Sequence, residues 1–502
     1  MDARTPPEPF ADPASTADGR PQLDHSEIRT ILIGVMLAML LSALDQTIVA
    51  TALPTIGLAF GDVANLPWIV TAYLLTATAV TPLTGKLADI YGPRPVLLAG
   101  IGLFLVGSVA CALAPGMFWL VLARALQGIG GGGLISLAQT IVGVMIAPRE
   151  RGRYQGYFAA VFISSSIAGP VLGGFFAEHL HWSLIFWINV PLGILAALMS
   201  ERALRRLPPH HHKHRIDLLG ALLMASATVA LLLALSWGGA RFAWLSMPVI
   251  SLIGASVLLW SLFGVRVATA EEPLLPLSVL GNQVVRTGVV AAAFAMGTLI
   301  GLSIEIPLYL EGVMHLTASQ SGLALIPLMA GVVVGATGTG RAMARVIHYK
   351  RIPIFGLSIS IIALGVLTLV ATGLHVGVLV VLLGVAGIGL GTVLPVSTVA
   401  IQNAVPLAQI GTATAAMNFF RSLGGAVLTA GFGALVIGMA GGQSGGLGER
   451  LLLHHGDDRM LATAFQWVFG AAALALVGAL IAVLIMEERP LRTSVHATPV
   501  MD

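Results

Sequence analysis

Residues 31–54 read ILIGVMLAMLLSALDQTIVATALP, an apolar run broken by one carboxylate, that of Asp45. A helix needs about 20 apolar residues to cross a bilayer, and this run is long enough. In the 502-residue chain, 57% of residues are hydrophobic and 10% are charged, whereas ordinary soluble domains contain about 25% charged residues. The sequence therefore predicts an all-α integral membrane protein.

Fourteen stretches have the length and hydropathy of a membrane span, and short turns with Gly, Pro or charged residues separate them. We expect 14 transmembrane helices, at residues 31–53, 66–86, 96–115, 118–146, 154–177, 182–200, 216–237, 244–265, 284–310, 319–340, 352–373, 376–401, 409–437 and 461–486.

The distribution of basic residues indicates the orientation. An even number of spans places both termini on one side; if that side is the cytoplasm, its tails, loops and helix edges carry 21 of the 26 Lys and Arg residues. The exceptions are Arg241, Arg450 and Arg459 in external loops and Arg124 and Arg421 within spans. Because cytoplasmic loops are enriched in basic residues, we expect both termini in the cytoplasm and the protein in the plasma membrane, which is the inner membrane in a bacterium.

Several classes of partner are not expected. The net charge of +3 and the pI of 9.2 reflect these loops, so nucleic acid is not a predicted partner. Cys111 is the single cysteine and cannot form an intramolecular disulfide. The histidines of residues 205–217, RRLPPHHHKHRID, lack the companion ligands of a metal site, so we expect a solvated linker. No ATP-binding loop occurs, and we expect no cofactor.

A buried arginine is the second charge of interest. The stretch RALQGIGGGGL, residues 124–134, places Arg124 and five glycines in the fourth span. An arginine in hydrocarbon costs several kcal/mol unless it faces a partner or a polar cavity, so it is a functional candidate. At 1.5 Å per residue, Asp45 lies about 12 Å and Arg124 about 9 Å from the outer ends of their helices. The two side chains are therefore expected at similar depth.

The loop between the second and third spans, residues 85–95, reads GKLADIYGPRP. Gly85 and Gly92 permit close helix packing and a tight turn. Asp89 can accept hydrogen bonds from backbone N–H groups at a helix N-terminus and can pair with a basic neighbour such as Arg94. These four residues predict a latch that holds one conformation; the alternative is a short loop with ordinary charges.

The fifth span contains SSIAGPVLGGFF, residues 165–176, with Gly169, Pro170, Gly173 and Gly174. Proline kinks a helix, and glycines let a neighbouring helix approach closely. We therefore expect a bent helix with a smooth, closely packed face.

Together these stretches resemble the fourteen-helix drug:proton antiporter branch of the major facilitator superfamily. LDQTIVATALP (44–54) is similar to the first-helix signature, GKLADIYGPRP to the loop signature, RALQGIGGGG to the fourth-helix signature and AGPVLGGFF to the antiporter signature of the fifth helix. Their order and spacing match as well. Residues 306–328 and 411–426 also look like segments of the second half of this family.

The resemblance implies two six-helix bundles with two inserted helices between them. The expected domains are a disordered cytoplasmic tail at 1–29, bundles at 30–201 and 284–488, linkers with the inserted helices at 202–283, and a cytoplasmic tail at 489–502.

In this fold the first and fourth helices line the central cavity, so Asp45 and Arg124 are predicted to meet there as a proton-coupling pair. The alternative is an ion pair that only orders the helices. Glu305, in the ninth span, is a second candidate proton site or cation anchor, unless it simply reaches external water.

The predicted substrate cavity includes Asp45, Glu305, Met417, Phe420 and Arg421. Methionine and aromatic side chains suit a pliable apolar site. Arg421 lies about 18 Å along its helix from the inner end at Gln409. We expect it to balance charge or fix packing, with binding of a substrate anion as the alternative.

The favoured function is proton-coupled export of lipophilic compounds, cations above all, by alternating access. The proton is the coupling ion, and the predicted partners are a small-molecule substrate and the lipid bilayer. Participation of a periplasmic adaptor is left open. A dedicated exporter of one endogenous metabolite, lipid or siderophore is the main alternative, and a non-transporting membrane sensor is a weaker one. An enzyme is not expected, because the ionisable groups within the spans form no nucleophile-base or metal constellation.

Overall fold

The computed structural model describes residues 25–63, 65–205, 216–239, 241–370, 375–439 and 458–493. Within them, fourteen helical segments are long and apolar enough to cross a membrane, which confirms the predicted all-α fold with fourteen spans. Most of the predicted N-terminal tail, most of the histidine-containing linker, and the final residues of the C-terminal tail lie outside the described residues.

We label these segments α1 to α14 in chain order. They are Ile28–Phe60, Leu66–Tyr91, Pro93–Ala112, Met117–Met145, Pro148–His179, Leu184–Arg202, Leu218–Trp237, Met247–Thr269, Gln283–Gly312, Ser319–Met343, Arg351–Val370, Val376–Ala404, Leu407–Met439 and Met460–Ile485.

Glycine determines how closely α4 packs. The α4 span contains two helical stretches, which are interrupted between Gly131 and Leu134. A side chain at Gly128 would overlap the backbone of Tyr73 in α2, and one at Gly132 would overlap the backbone of Ala77. The glycines of the fourth-span motif therefore allow α4 to lie directly against α2, which fixes the position of Arg124 one turn away.

The helices form two halves. Helices α1 to α6 pack on one another and constitute the first half, while α9 to α14 pack on one another and constitute the second half. The halves meet along two seams, one between α2 and α13 and the other between α5 and α10. Since successive spans alternate in direction, the start of α1 and the end of α14 lie at the same end of the bundle, which we call the terminal end; the opposite end is the far end.

Helices α7 and α8 are an inserted pair that lies beside the first seam. Asp217 caps α7 by accepting from the backbone N–H of Gly220 at 3.0 Å, and the Nε of Arg266 in α8 donates to the same carboxylate at 3.0 Å. The pair shares an apolar cluster with Leu83 of α2 and Phe419 of α13. It therefore contacts both halves of the molecule.

Candidate functional site

The structure brings Asp45 and Arg124 together. The guanidinium Nη1 of Arg124 lies 2.6 Å from Oδ2 of Asp45, and their side chains are 1% and 0% exposed. Helix α1 positions the acid and the glycine-rich helix α4 positions the arginine. The pair is thus fully removed from solvent in this conformation.

Three polar residues complete the shell of Asp45. Its Oδ1 accepts from Nε2 of Gln127 at 2.9 Å and from Nδ2 of Asn189 at 3.0 Å. Both amide nitrogens also donate to Ser108 Oγ, at 2.7 and 3.2 Å. The sequence signal for this shell is a set of polar side chains within three different spans, but no spacing rule links them.

Further contacts stabilise the Arg124 guanidinium and shield it from solvent. Its Nε donates to the backbone carbonyl of Ile69 at 3.0 Å, and its guanidinium lies 4.3 Å from the ring centre of Tyr73. Tyr73 in turn shares a 3.1 Å hydrogen bond with Ser42 Oγ. Because every partner is buried, the pair has the geometry of a preorganised ionic centre.

Glu305 lies apart from this centre, in the second half. It is 4% exposed, and its Oε2 is buried without a hydrogen-bond partner among the described residues. A Cβ added at Gly433 in α13 would lie 3.4 Å from Oε1. Burial of a carboxylate without a partner is costly, so Glu305 is a candidate site for a neutralising ligand.

Asp89 of the predicted latch joins the two halves. Its carboxylate accepts from the backbone N–H of Gly411 at 2.8 Å, from that of Thr412 at 2.7 Å, and from the Thr412 hydroxyl at 2.6 Å. These groups form the first turn of the long helix in α13, where a negative charge interacts favourably with the helix dipole. Arg94 does not reach Asp89; its Nε donates to Glu201 within the first half at 3.0 Å.

The two glycines of the latch, Gly85 and Gly92, have different structural roles. A side chain at Gly85 would overlap Ala415 and the Gly411 carbonyl of α13, so glycine permits the close approach of the halves at this point. Gly92 has φ 87° at the junction of α2 and α3, a conformation that glycine adopts without steric cost.

In α5, two of the four motif residues face α1. A side chain at Gly169 would overlap Thr47, and one at Gly173 would overlap Ile48 and Thr51, whereas no atom lies within 4 Å of the corresponding position at Gly174. Pro170 is exposed on the other side of the helix. The motif therefore builds the α1–α5 contact on the helix that carries Asp45.

A buried amide network also links the halves. Gln402 Nε2 donates to the carbonyl of Gln139 at 3.1 Å and to Thr414 Oγ1 at 3.0 Å. Asn418 Nδ2 donates to Oε1 of Gln139 at 2.7 Å. Gln139 belongs to α4 and the other residues belong to the second half, so the network holds the α4–α13 contact together. No motif in the sequence identified it.

At the other seam, the two backbones touch between Gly152 of α5 and Gly340 of α10. Arg149 adds a 3.2 Å hydrogen bond from its Nε to the carbonyl of Ala344. Together with the Asp89 latch and the amide network, these contacts lie toward the terminal end. Within the described residues, the molecule is therefore in a conformation that is closed at the terminal end.

The first part of the predicted C-terminal tail is packed against this closed end. The backbone N–H of Arg149 donates to the carbonyl of Arg492 at 3.2 Å, and Nη2 of Arg492 donates to the carbonyls of Asn403 and Val405 at 2.8 and 3.3 Å. Burial raises the pKa of the Tyr349 hydroxyl to about 12, so it remains a donor to the carbonyl of Arg489, 2.9 Å away. The segment thus contacts both halves.

The remaining cavity candidates occupy different environments. Met417 is fully buried, and its sulfur accepts from Thr398 Oγ1 at 3.6 Å, so it does not line an open surface in this conformation. Phe420 is half-buried against Phe419, with ring centres 5.1 Å apart. Arg421 is buried, and its guanidinium lies 6.0 Å from the ring centre of Phe162 in the first half. Among the described residues no group of three or more His, Cys, Asp or Glu could hold a metal ion.

Comparisons with known proteins agree with the two-half fold, the order of the sequence motifs and the ionic centre. Residues 35–429 match the Major Facilitator Superfamily, and the chain belongs to this family. It has the fourteen candidate membrane spans of a multi-pass membrane protein of this family.

Relatives with multidrug names occur among the matches. The chain is 34% identical over 400 residues to the Multidrug transporter protein MdtP of Bacillus subtilis (strain 168), covering 79% of this chain and 73% of the relative. It is 35% identical over 435 residues to an uncharacterized MFS-type transporter of Mycobacterium tuberculosis (strain H37Rv), covering 86% of this chain but 63% of that longer protein. The name of the Bacillus relative agrees with the multidrug efflux type of the family.

Among solved structures, a bacterial homologue of the iron transporter ferroportin in an outward-facing state has a TM-score of 0.65 with 13% sequence identity, covering 92% of this chain and 100% of that one. At this identity the likeness concerns the fold alone.

Proposed function

We propose that the protein is a proton-coupled exporter of lipophilic compounds, cations above all, located in the plasma membrane with both termini in the cytoplasm. The observation that carries the proposal is Glu305, a buried residue of the second half whose Oε2 has no hydrogen-bond partner among the described residues. The ionic centre lies in the first half. The names of the multidrug relatives support the class of substrate.

The coupling chemistry follows from charge balance. When Glu305 is protonated, its site is neutral and can persist in an apolar environment. A lipophilic cation that enters can replace the proton as the neutralising charge, and the released proton leaves to the same side. Because proton and cation compete for one carboxylate, each turnover exchanges one for the other.

Alternating access would then require the halves to separate at the terminal end and close at the far end. With cytoplasmic termini, the closed terminal end corresponds to the state that releases substrate outside. Glu305 lies about 10 Å from the far end of α9, a depth that suits exchange of substrate for an external proton. The Asp45–Arg124 centre, which can rearrange when α1 and α4 move, would couple this exchange to the closure.

The test uses purified protein in proteoliposomes with a dye that reports lumenal pH. Adding tetraphenylphosphonium under an imposed proton gradient should move protons across the membrane in the wild type. Glu305→Gln and Asp45→Asn should abolish this cation-dependent proton flux. Glu311→Gln is the matched control, because Glu311 is exposed near the end of the same helix, and its flux should be unchanged. Cation-driven proton flux that persists in both variants would show that coupling resides elsewhere.

A further inference from the structure

We propose that Arg421 is an anion subsite of the transport path, which receives a carboxylate or comparable oxyanion carried by an amphipathic molecule. The inference rests on the proposed transport function and adds a substrate class to it: amphipathic acids and zwitterions as well as lipophilic cations.

The first observation is the isolation of the Arg421 charge. Its side chain is 7% exposed, and among the described residues no carboxylate lies within ion-pair distance of its guanidinium. The guanidinium instead lies over the ring of Phe162, 6.0 Å from the ring centre. Arg124 is the opposite case, since its guanidinium is 2.6 Å from a buried carboxylate. Of these two intramembrane arginines, Arg124 has a counter-charge among the residues that the structure describes, and Arg421 has none there.

The second observation is the direction in which Arg421 points. Arg421 belongs to α13 in the second half, whereas Phe162 belongs to α5 in the first half. The guanidinium therefore reaches across the boundary between the halves, which is the region that must open and close when access alternates. A residue that only fixed packing within the second half would not need to extend there.

The third observation is a polar face on α13. Six residues spaced three or four apart lie on one side of this helix: Thr414, Asn418, Arg421, Gly425, Thr429 and Gly433. Toward the terminal end this face meets the amide network of Gln139 and Gln402, and toward the far end it meets Glu305. The Oδ1 of Asn418 and the Oγ1 of Thr429 are buried without partners among the described residues. The face thus offers unfilled hydrogen-bonding positions on both sides of Arg421.

The chemistry of arginine determines what can fill the site. A guanidinium is not deprotonated in proteins, so it cannot become neutral as Glu305 can. Burial of an unpaired charge is costly, and the cation–π contact with one phenylalanine offsets only part of that cost. A carboxylate or phosphate oxygen pair can accept two parallel hydrogen bonds from the guanidinium, which is a strong and directional interaction. The half-buried rings of Phe162 and Phe420 supply apolar surface for the rest of the ligand.

Glu305 cannot supply the missing charge in this conformation. Gly433, beside which Glu305 lies, follows Arg421 by twelve residues, or about 18 Å along the helix axis. The acid and the arginine therefore form separate subsites of opposite sign, and a substrate need engage only one of them.

The experiment compares two dyes that differ by one carboxylate. Rhodamine 123 is a methyl ester and a cation, and rhodamine 110 is the corresponding free acid. Equilibrium binding of each is measured by fluorescence anisotropy with the purified protein in phosphatidylcholine nanodiscs, without any proton gradient. We expect Arg421→Gln to weaken binding of rhodamine 110 by about tenfold or more, which is the scale of a charged hydrogen-bonded pair, and to leave rhodamine 123 within about twofold of the wild type.

Two control variants separate charge from folding. Arg421→Lys keeps the charge but loses the planar fork, so its affinity for rhodamine 110 should be intermediate. Ser422→Ala changes the adjacent, exposed residue and should bind both dyes as the wild type does. Equal weakening of both dyes in Arg421→Gln, or no weakening of either, would overturn the proposal.

Two further arms identify the source of the anion. Phosphatidylglycerol in the nanodisc that competes with rhodamine 110, but not with rhodamine 123, would support the anion subsite and assign a lipid headgroup to it. Competition by inorganic phosphate would support the same subsite with a free anion. Because binding is measured at equilibrium, failure here leaves the proton-flux test of the proposed function unaffected.

Discussion

At the scale of single residues, the protein treats its intramembrane charges in three different ways. Asp45 and Arg124 neutralise each other within a shell of buried hydrogen-bond donors. Glu305 is buried, its Oε2 has no hydrogen-bond partner among the described residues, and it is the proposed proton site. Arg421 is buried and permanently charged, and no carboxylate in the described part of the chain forms an ion pair with it. These differences underlie the roles proposed above, proton exchange for Glu305 and anion binding for Arg421.

Removing the charge of Asp45 should destabilise the protein, because the Arg124 guanidinium would remain buried without a counter-charge. We expect Asp45→Asn to lower the free energy of unfolding by about 3–5 kcal/mol, seen as a lower apparent Tm in detergent. The double variant Asp45→Asn with Arg124→Gln should recover part of this loss. A single variant as stable as the wild type would show that the pair contributes no stability.

The ionic centre could be anticipated from the sequence only in part. Helical rise places Asp45 and Arg124 at similar depth, and the family resemblance places their helices together. The shell of Gln127, Asn189 and Ser108 could not be predicted, because these residues come from three spans whose rotation about their axes is set by packing and not by local sequence. That Oε2 of Glu305 has no described hydrogen-bond partner could not be predicted either, because it depends on which side chains the neighbouring helices place beside it.

At the scale of helices, glycine positions set the distance between neighbours. In the fifth-span motif, Gly169 and Gly173 are separated by four residues and therefore share the face that meets α1. The sequence indicates that a face of this kind exists. It does not indicate which glycines belong to it, because that requires knowledge of the partner helix.

Gly173→Ala and Gly174→Ala form a matched pair. The added methyl at residue 173 would overlap Ile48 and Thr51, whereas no atom lies within 4 Å of the position at residue 174. We expect Gly173→Ala to separate α1 from α5 and to reduce transport and stability, with an overpacking cost of about 1–3 kcal/mol. Gly174→Ala should be neutral or slightly stabilising, because alanine favours the helix. Transport assays and Tm values that do not distinguish the two variants would contradict the predicted packing.

At the scale of the whole molecule, the latch of Asp89 should bias the equilibrium between the two conformations. Asp89→Asn removes the negative charge at the start of α13 and weakens three hydrogen bonds to Gly411 and Thr412. We expect a larger population that is open at the terminal end.

Double electron–electron resonance measures this population. Spin labels at the exposed residues Arg153 and Arg345, in a Cys111→Ser background, report the separation of the halves at the terminal end. The long-distance component should increase in Asp89→Asn. An unchanged distance distribution would show that the latch does not control the closure.

The packed C-terminal segment should act on the same equilibrium. Arg492→Ala removes side-chain hydrogen bonds to Asn403 and Val405 that anchor the segment on the second half, next to its backbone contact with Arg149 of the first half. The same spin-label pair should therefore report more opening. Arg489→Ala is the control, because the described contact of its side chain is an exposed pair with Glu487. An equal effect of both substitutions would indicate a general role of positive charge instead of the specific contacts.

The inserted pair α7–α8 affects the energetics of the entire transport cycle. Its apolar cluster includes Leu83 from one half and Ala416 and Phe419 from the other. If α2 and α13 move apart at the terminal end, the pair can follow only one of them, and its contacts with the other must break or slide. The free-energy difference between the two end states therefore includes the contacts of α7 and α8, which a protein with twelve helices would lack. Substitutions at these contacts, on the lipid side of the seam, can change transport rates although they lie outside the substrate path.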